Sequence, residues 1–231
     1  AALVGRAAYV PQSPQILNAS VRENILFGLT FDEARYLRAL AACCLEQDLI
    51  QFTDGDATEI GEKGITISGG QRARVALARA YYADADVVVL DDPLSAMDAH
   101  VGATVFQHCV LGLRDQGKAV LFITNQLHFC VDADTVVALE AGQVAAQGRF
   151  ADLAAEPGSQ FAGLVSATRT AGMAQKPGFE DGAGPLENEG SSVPRPGSER
   201  PLSNSPVEKP SSGTGMKAEV VLQGRIGFWE W

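Results

Sequence analysis

The sequence lacks any surplus of positive charge: 18 Lys and Arg stand against 28 Asp and Glu, a formal net charge of −10. That balance excludes a general nucleic-acid surface, which needs a basic footprint over the phosphates. Histidine is scarce, and none of His100, His108 and His128 lies at metal-ligand spacing from a cysteine pair. The cysteines, Cys43, Cys44, Cys109 and Cys130, show no C-x-x-C spacing, so they read as reduced thiols of a cytosolic domain. No signal peptide opens the chain, and no apolar run approaches the ~18 residues of a membrane span. The piece is therefore expected to be soluble as given. No Met precedes Ala1-Ala2-Leu3-Val4, and the chain reads as an excerpt of a longer one.

What is there describes one sizeable globular domain with an appendage, at 231 residues, 46% apolar and 20% charged. Residues 3–11 read as a strand that ends at Pro11, which cannot donate to a ladder, and Gln12 follows on a loop. Ser20 and Glu23 have the spacing of a capping box, opening a short helix that Gly28 closes. Residues 31–45 have a helical apolar period, and a second helical piece covers 46–52 before the Asp54-Gly55 turn. Residues 58–64 form a Gly-flanked loop.

The stretch from 67 to 98 organises the rest. Ile67-Ser68-Gly69-Gly70-Gln71 is a polar Gly turn opening a helix that runs to about Tyr82, with Ala73, Ala76, Leu77, Ala80 and Tyr81 on its inward face. Val87-Val88-Val89-Leu90 is an apolar run without alternation, as in a strand of a parallel sheet covered on both faces. It delivers Asp91 and Asp92 at its C-terminal end. A helix N-terminus with adjacent glycines offers N–H groups and a positive dipole end to an anion, and ligands of open α/β sheets gather at strand C-termini. The unit suits phosphate chemistry. Beyond it come a crossover helix over 98–113, a buried strand over 118–124, a helical turn over 126–130, a hairpin over 135–147 joined by Ala141-Gly142, and closing helices over 150–155 and 159–167. The alternation is that of an α/β fold.

From about Ser166 to Met216 Gly, Pro, Ser, Glu and Lys dominate, the composition of a disordered linker. Apolar residues return at Val220-Val221-Leu222, and the chain ends Phe228-Trp229-Glu230-Trp231.

At this point the motifs carry a resemblance. Ile67-Ser68-Gly69-Gly70-Gln71 resembles the signature of ABC-type ATPases, residues 87–91 their Walker B strand, Pro11-Gln12 their Q-loop and Ser95-Ala96-Met97-Asp98 their D-loop. With Glu23-Asn24-Ile25-Leu26-Phe27-Gly28 and Glu59-Ile60-Gly61-Glu62-Lys63-Gly64, the text is similar to the first nucleotide-binding domain of the multidrug-resistance-associated C subfamily. The resemblance implies a P-loop NTPase core with a parallel sheet and a small helical subdomain over about 20–82. It implies three segments: a partial nucleotide-binding domain over 1–165, a linker over 166–218, and the lead-in to a following transmembrane domain over 219–231. It further implies ATP and Mg²⁺ as cofactors. Asp91 would hold the metal, Gln12 would sense metal and γ-phosphate, and Ser68, Gly69, Gly70 and Gln71 would clasp the γ-phosphate of an ATP bound by an opposite domain. Asp98 would stand at the interface, and residues 59–62 near the loops that carry motion to the membrane. The implied partners are a second nucleotide-binding domain of the same polypeptide and the transporter's transmembrane domains, with no nucleic acid, on the cytoplasmic face of a membrane.

The sequence departs from that pattern in three places. G-x-x-x-x-G-K-[ST] is absent from these residues, and its Lys and backbone cradle are the main phosphate grip, so the chain alone is expected to be inactive. Asp92 stands in the place of the catalytic Glu and is one methylene shorter, where a misplacement of ~1 Å costs ~10²-fold in rate. Asn125 stands where the switch His is expected and cannot carry an imidazolium charge; His128 is three residues further on. The expectation is an ATP-hydrolysing motor domain of an exporter with a degenerate site of its own. A non-catalytic regulatory nucleotide-binding module and a soluble ABC ATPase without membrane partner are the alternatives.

Overall fold

In the computed structural model the described residues are 5–62, 64–173 and 217–222. Their core is a six-stranded sheet in the order β1-β4-β5-β8-β6-β7. β1 (Ala7–Val10), β4 (Val87–Asp91) and β5 (Ala119–Thr124) run parallel, with Val10 opposite Leu90 and Leu90 opposite Phe122. β6 (Thr135–Glu140) and β7 (Gln143–Gly148) form the expected hairpin. The sheet is thus mixed, because β8 (Lys217–Leu222) lies antiparallel to both β5 and β6 and separates them. Of the expected linker over 166–218, residues 174–216 lie outside the described residues, as do residues 223–231 of the expected lead-in, whereas 166–173 belong to the closing helix and 217–218 to β8.

Burial along β4 is less even than its composition suggests. Val88 and Leu90 are fully buried, whereas Val87 and Val89 are half-buried, so one face is better covered than the other. The crossover from β4 to β5 is helical throughout: α5 (Ala99–Val105), a π turn (Phe106–Val110) and α6 (Leu111–Asp115). The wider π turn belongs to a segment that carries Phe106 into an aromatic cluster with Phe122 and Phe129, at ring separations of 5.5 and 4.5 Å. α7 (Phe150–Ala155) and α8 (Gln160–Met173) close the domain. α8 continues eight residues past the boundary at 165 that composition suggests, and Val165 is still buried.

The helical unit consists of α1 (Val21–Leu26), α2 (Glu33–Ala42) and α3 (Glu46–Gln51), packed around α4 (Gly69–Tyr82). Ser20 and Glu23 make the anticipated capping box on α1. The C-cap of α1, however, is Phe27 in the left-handed region at φ 46°, with Gly28 following it. A bulky residue there is strained, and its ring lies 4.6 Å from the Arg79 guanidinium, a contact that offsets part of the strain. A two-residue ribbon of β2 (Ala19–Ser20) and β3 (Glu59–Ile60) replaces the expected open loop at 58–60. On α4 it is Tyr82 rather than Tyr81 that is fully buried. Tyr82 packs edge-on against Tyr36 of α2, donates to Thr30 O at 2.6 Å and accepts from Asp32 N at 2.8 Å. Tyr81, half-buried, accepts a hydrogen bond from Gln116.

All four cysteines are free, with Cys43, Cys109 and Cys130 buried and Cys44 half-buried. Burial raises the Cys43 thiol well above its ordinary value and pushes Cys130 up to about 12, so these thiols are poor nucleophiles. Among the described residues, no helix is long and apolar enough to cross a membrane.

Candidate functional site

One group of polar residues lies at the C-terminal ends of the parallel strands and a second at the start of α4, and the turn over 92–97 runs between them. The first group belongs to β1 and β4. In-register pairing of Tyr9 with Val89 puts Tyr9 and Asp91 on one face as diagonal neighbours, and the Tyr9 hydroxyl donates to Asp91 Oδ2 at 3.3 Å. Desolvation first, and then the Asp91 carboxylate, raises the Tyr9 phenol above its usual value. Past the end of β1, Gln12 Nε2 donates to Asp92 Oδ2 at 3.3 Å. The three acidic and amide groups read from sequence, Gln12, Asp91 and Asp92, are therefore brought together.

Asp92 has an unusual backbone. It sits at φ 46°, a region that Asp adopts more readily than most side chains. Its N–H donates to Ile123 O at 2.8 Å, and its carbonyl accepts from Ser95 Oγ at 2.8 Å. Asp92 is 9% exposed, and among the described residues its Oδ1 has no hydrogen-bond partner. A buried carboxylate oxygen left without a donor is costly unless a cation or a water completes it.

Asn125 follows β5 on the neighbouring strand. Its side chain is exposed and, among the described residues, engages neither Asp92 nor Gln12. His128 does not stand in for it: its ring packs on Phe129 at 4.0 Å and lines a separate apolar hollow with Val131 and Phe150.

The second group is the start of α4. Ser68 is the N-cap, its Oγ accepting from Gln71 N at 3.1 Å while Gln71 Oε1 accepts from Ser68 N at 2.8 Å. This reciprocal box leaves the Gly69 and Gly70 N–H groups at the open first turn. A Cβ at position 70 would lie 3.1 Å from Ala96 O, a tight contact that glycine avoids. Asp98 shares the same hollow with Ser68, Gly69 and Gly70. It is also the N-cap of α5, accepting from Val101 N at 2.9 Å and His100 N at 3.1 Å. These backbone donors, Val101 first, hold its carboxyl below the usual range.

Several residues that hold this arrangement carry no sequence signal of their own. Asn24 is fully buried; its amide accepts from Leu17 N at 2.8 Å and from Arg79 Nη2 at 3.0 Å, and donates to Leu17 O at 3.0 Å. Arg79 also donates to Gln15 O at 3.2 Å, tying the loop after Gln12 to α4. Desolvation lowers the Arg79 guanidinium. On the other flank, Asn18 Oδ1 accepts from Glu62 N at 2.6 Å, so the 59–62 segment is pinned beside α1.

The donor set at β4 fits a hard divalent cation in part. Among the described residues no cluster of three or more His, Cys, Asp or Glu forms a metal cage. Mg²⁺ does not need one: it takes one or two carboxylates, and phosphate oxygens and waters fill the rest. Asp91 and Asp92, neighbours at the end of β4, are carboxylates of the kind that could take such a role.

The family model described as ABC transporter matches residues 2–95. The chain is similar to ABC transporter C family member 3 of Dictyostelium discoideum, 46% identical over 72% of the chain and 12% of that protein. It is also similar to ABC transporter C family member 7 of Arabidopsis thaliana, 37% identical over 97% of the chain and 15% of that protein. With ATP-binding cassette sub-family C member 2 of Homo sapiens the identity is 43% over 78% of the chain and 12% of that protein. The chain spans between 10 and 15% of the length of the curated relatives it matches. With its P-loop NTPase architecture, its signature-like helix start and these relatives, the chain belongs to the ABC transporter family, as a nucleotide-binding domain of the C-family type.

Proposed function

We propose that the chain is part of the ATP-driven motor of a membrane exporter and contributes half of each of two unequal nucleotide sites. The observation that carries this reading is the division of its polar residues. Gln12, Asp91 and Asp92 cluster at the strand ends, while Ser68, Gly69 and Gly70 present a separate, capped helix start. In the site on its own strands, Asp91 and Gln12 would hold Mg²⁺ beside the phosphates of ATP. Bound there, the cation neutralises phosphate charge. Asp92 would orient water for attack, and its short side chain, held by Gln12, makes that step slow. Asn125 adds no charge to the γ-phosphate. Lacking G-x-x-x-x-G-K-[ST], these residues by themselves grip ATP weakly.

The helix start serves the other site. The Gly69 and Gly70 N–H groups and the dipole of α4 favour a phosphate supplied by a facing domain. A groove of about 540 Å³ lies beside β1, α1 and α4, with Tyr9, Pro11, Phe27, Leu29 and Arg79 in its walls. Tyr9 and Phe27 are 60% and 56% exposed. Paired apolar rings on an open groove mark an interaction surface, which we assign to the transmembrane domain.

A non-catalytic, regulatory site is the second reading, and the exposed, unengaged Asn125 favours it. ATP hydrolysis by the whole transporter separates the two. With Asp92→Glu, hydrolysis at this domain's own site is expected to rise; an unchanged rate removes Asp92 as the limiting group. With Ser68→Arg, turnover at the opposite site is expected to vanish, and normal turnover would remove the clasp.

A further inference from the structure

Asp48 is the third residue of α3, a position from which a carboxylate commonly turns back to its own helix start. Here the N-cap, Leu45, makes no side-chain cap bond, and Asp48 turns instead to α4. Only 7% exposed, it accepts at Oδ1 from Gln71 Nε2 at 3.0 Å and from Arg74 Nη2 at 3.0 Å. Its Oδ2 lies 2.8 Å from the same Arg74 nitrogen. A buried carboxylate and a half-buried guanidinium thus neutralise each other, and a neutral amide shares the carboxylate.

The amide is the informative member. Gln71 carries one carbonyl and one NH₂, and the carboxylate accepts only from the NH₂. Gln71 Oε1 is thereby left facing Ser68 N, where it accepts at 2.8 Å. If the amide flipped, a donor would face the Ser68 N–H, and the cap of α4 would lose one of its two bonds. Contacts therefore run without a break from α3 through Asp48 and Gln71 to the backbone of Ser68.

We propose that Asp48 is a positioning residue. By fixing the direction of the Gln71 amide it sets the Ser68–Gly70 helix start against the facing phosphate, and it links the place of the helical unit to that contact. The inference rests on the clasp reading above. The competing account is a plain ion pair that cements α3 to α4.

An exchange of donor and acceptor distinguishes them in the whole transporter. Gln71→Glu alone sets two carboxylates against each other. Asp48→Asn alone removes the charge that selects the amide's direction and leaves Arg74 unpaired. In the double variant the amide introduced at position 48 donates to the carboxylate introduced at position 71. The second oxygen of that carboxylate still accepts from Ser68 N, and Arg74, three residues further along α4, pairs with it.

Each single variant is expected to lower kcat for ATP at the opposite site about tenfold with KM little changed. The double variant is expected to run about threefold faster than either single variant. A plain α3–α4 ion pair predicts no recovery, since the double variant lacks it too; a double variant no faster than Asp48→Asn overturns the proposal. In parallel, hydrogen exchange at the Ser68 amide of this chain should quicken in Asp48→Asn and slow again in the double variant. Unaltered exchange in Asp48→Asn also overturns it. Ser68→Arg is the control: if that variant turns over normally, the clasp reading has failed. If it is inactive and the double variant does not recover, only the role of Asp48 has failed.

Discussion

Asp98 accepts two backbone N–H groups at the start of α5, and those donors favour its charged form. Its folded pKa is depressed, so its contribution to stability is present above the unfolded value and is lost as pH falls through the folded one. Melting temperatures of the parent and Asp98→Asn, measured as a function of pH, should therefore converge below about pH 3.9. A constant offset down to low pH would mean that titration of this cap contributes nothing. Asp92 makes a different point at this scale. Its letter in the sequence announces a carboxylate, but its φ of 46°, its burial and its unpartnered oxygen follow from a turn held by Ile123 and Ser95. Asn24 is more extreme, since nothing local distinguishes a fully buried amide joining Leu17 and Arg79 from an exposed one.

At the scale of elements, local chemistry and period account for most of what is observed. The Ser20/Glu23 capping box opens α1 where its spacing places it, and the Gly turn at 68–71 opens α4 with a second box, Ser68/Gln71, because both partners of each box lie within one turn and need no distant contact. The inward face of α4 is less legible. Its period admits Tyr81, yet the helical unit covers the next residue, and Tyr82 closes the space beside Tyr36. Its hydroxyl serves Thr30 and Asp32 at once. Tyr82→Phe should cost about 1 kcal/mol, the net worth of the hydrogen bonds that its buried hydroxyl makes to the part-buried backbone groups of Thr30 and Asp32, as read from urea denaturation. A loss below about 0.5 kcal/mol would show that these groups find other partners. The two-residue ribbon of β2 and β3 is too short to leave an alternation, so its residues read as a loop.

For the molecule as a whole, the placement of β8 is the feature that no motif announces. β5 and β6 follow one another in sequence yet lie one strand apart, and Lys217–Leu222 fills the gap antiparallel to both. Val220 is paired with Phe122 on one side and Val136 on the other. A proline there cannot donate to the ladder. Val220→Pro should therefore quicken amide exchange along β5 and β6 while leaving α1 and α2 unchanged. Unchanged exchange in β5 and β6 would show that they do not depend on β8. By itself the sequence determined the family, the α/β alternation, the helix starts and the polar residue types at the strand ends and at the start of α4, since each of these is written in neighbouring letters or in a short period. Tertiary structure alone decided that Tyr9 meets Asp91 across 82 residues, that Gln12 meets Asp92 across 80, and that Asp48 meets Gln71 across 23. The reason is physical: caps and periods act over one turn of chain, whereas which buried donor finds which acceptor is settled only when the sheet and the helical unit pack together.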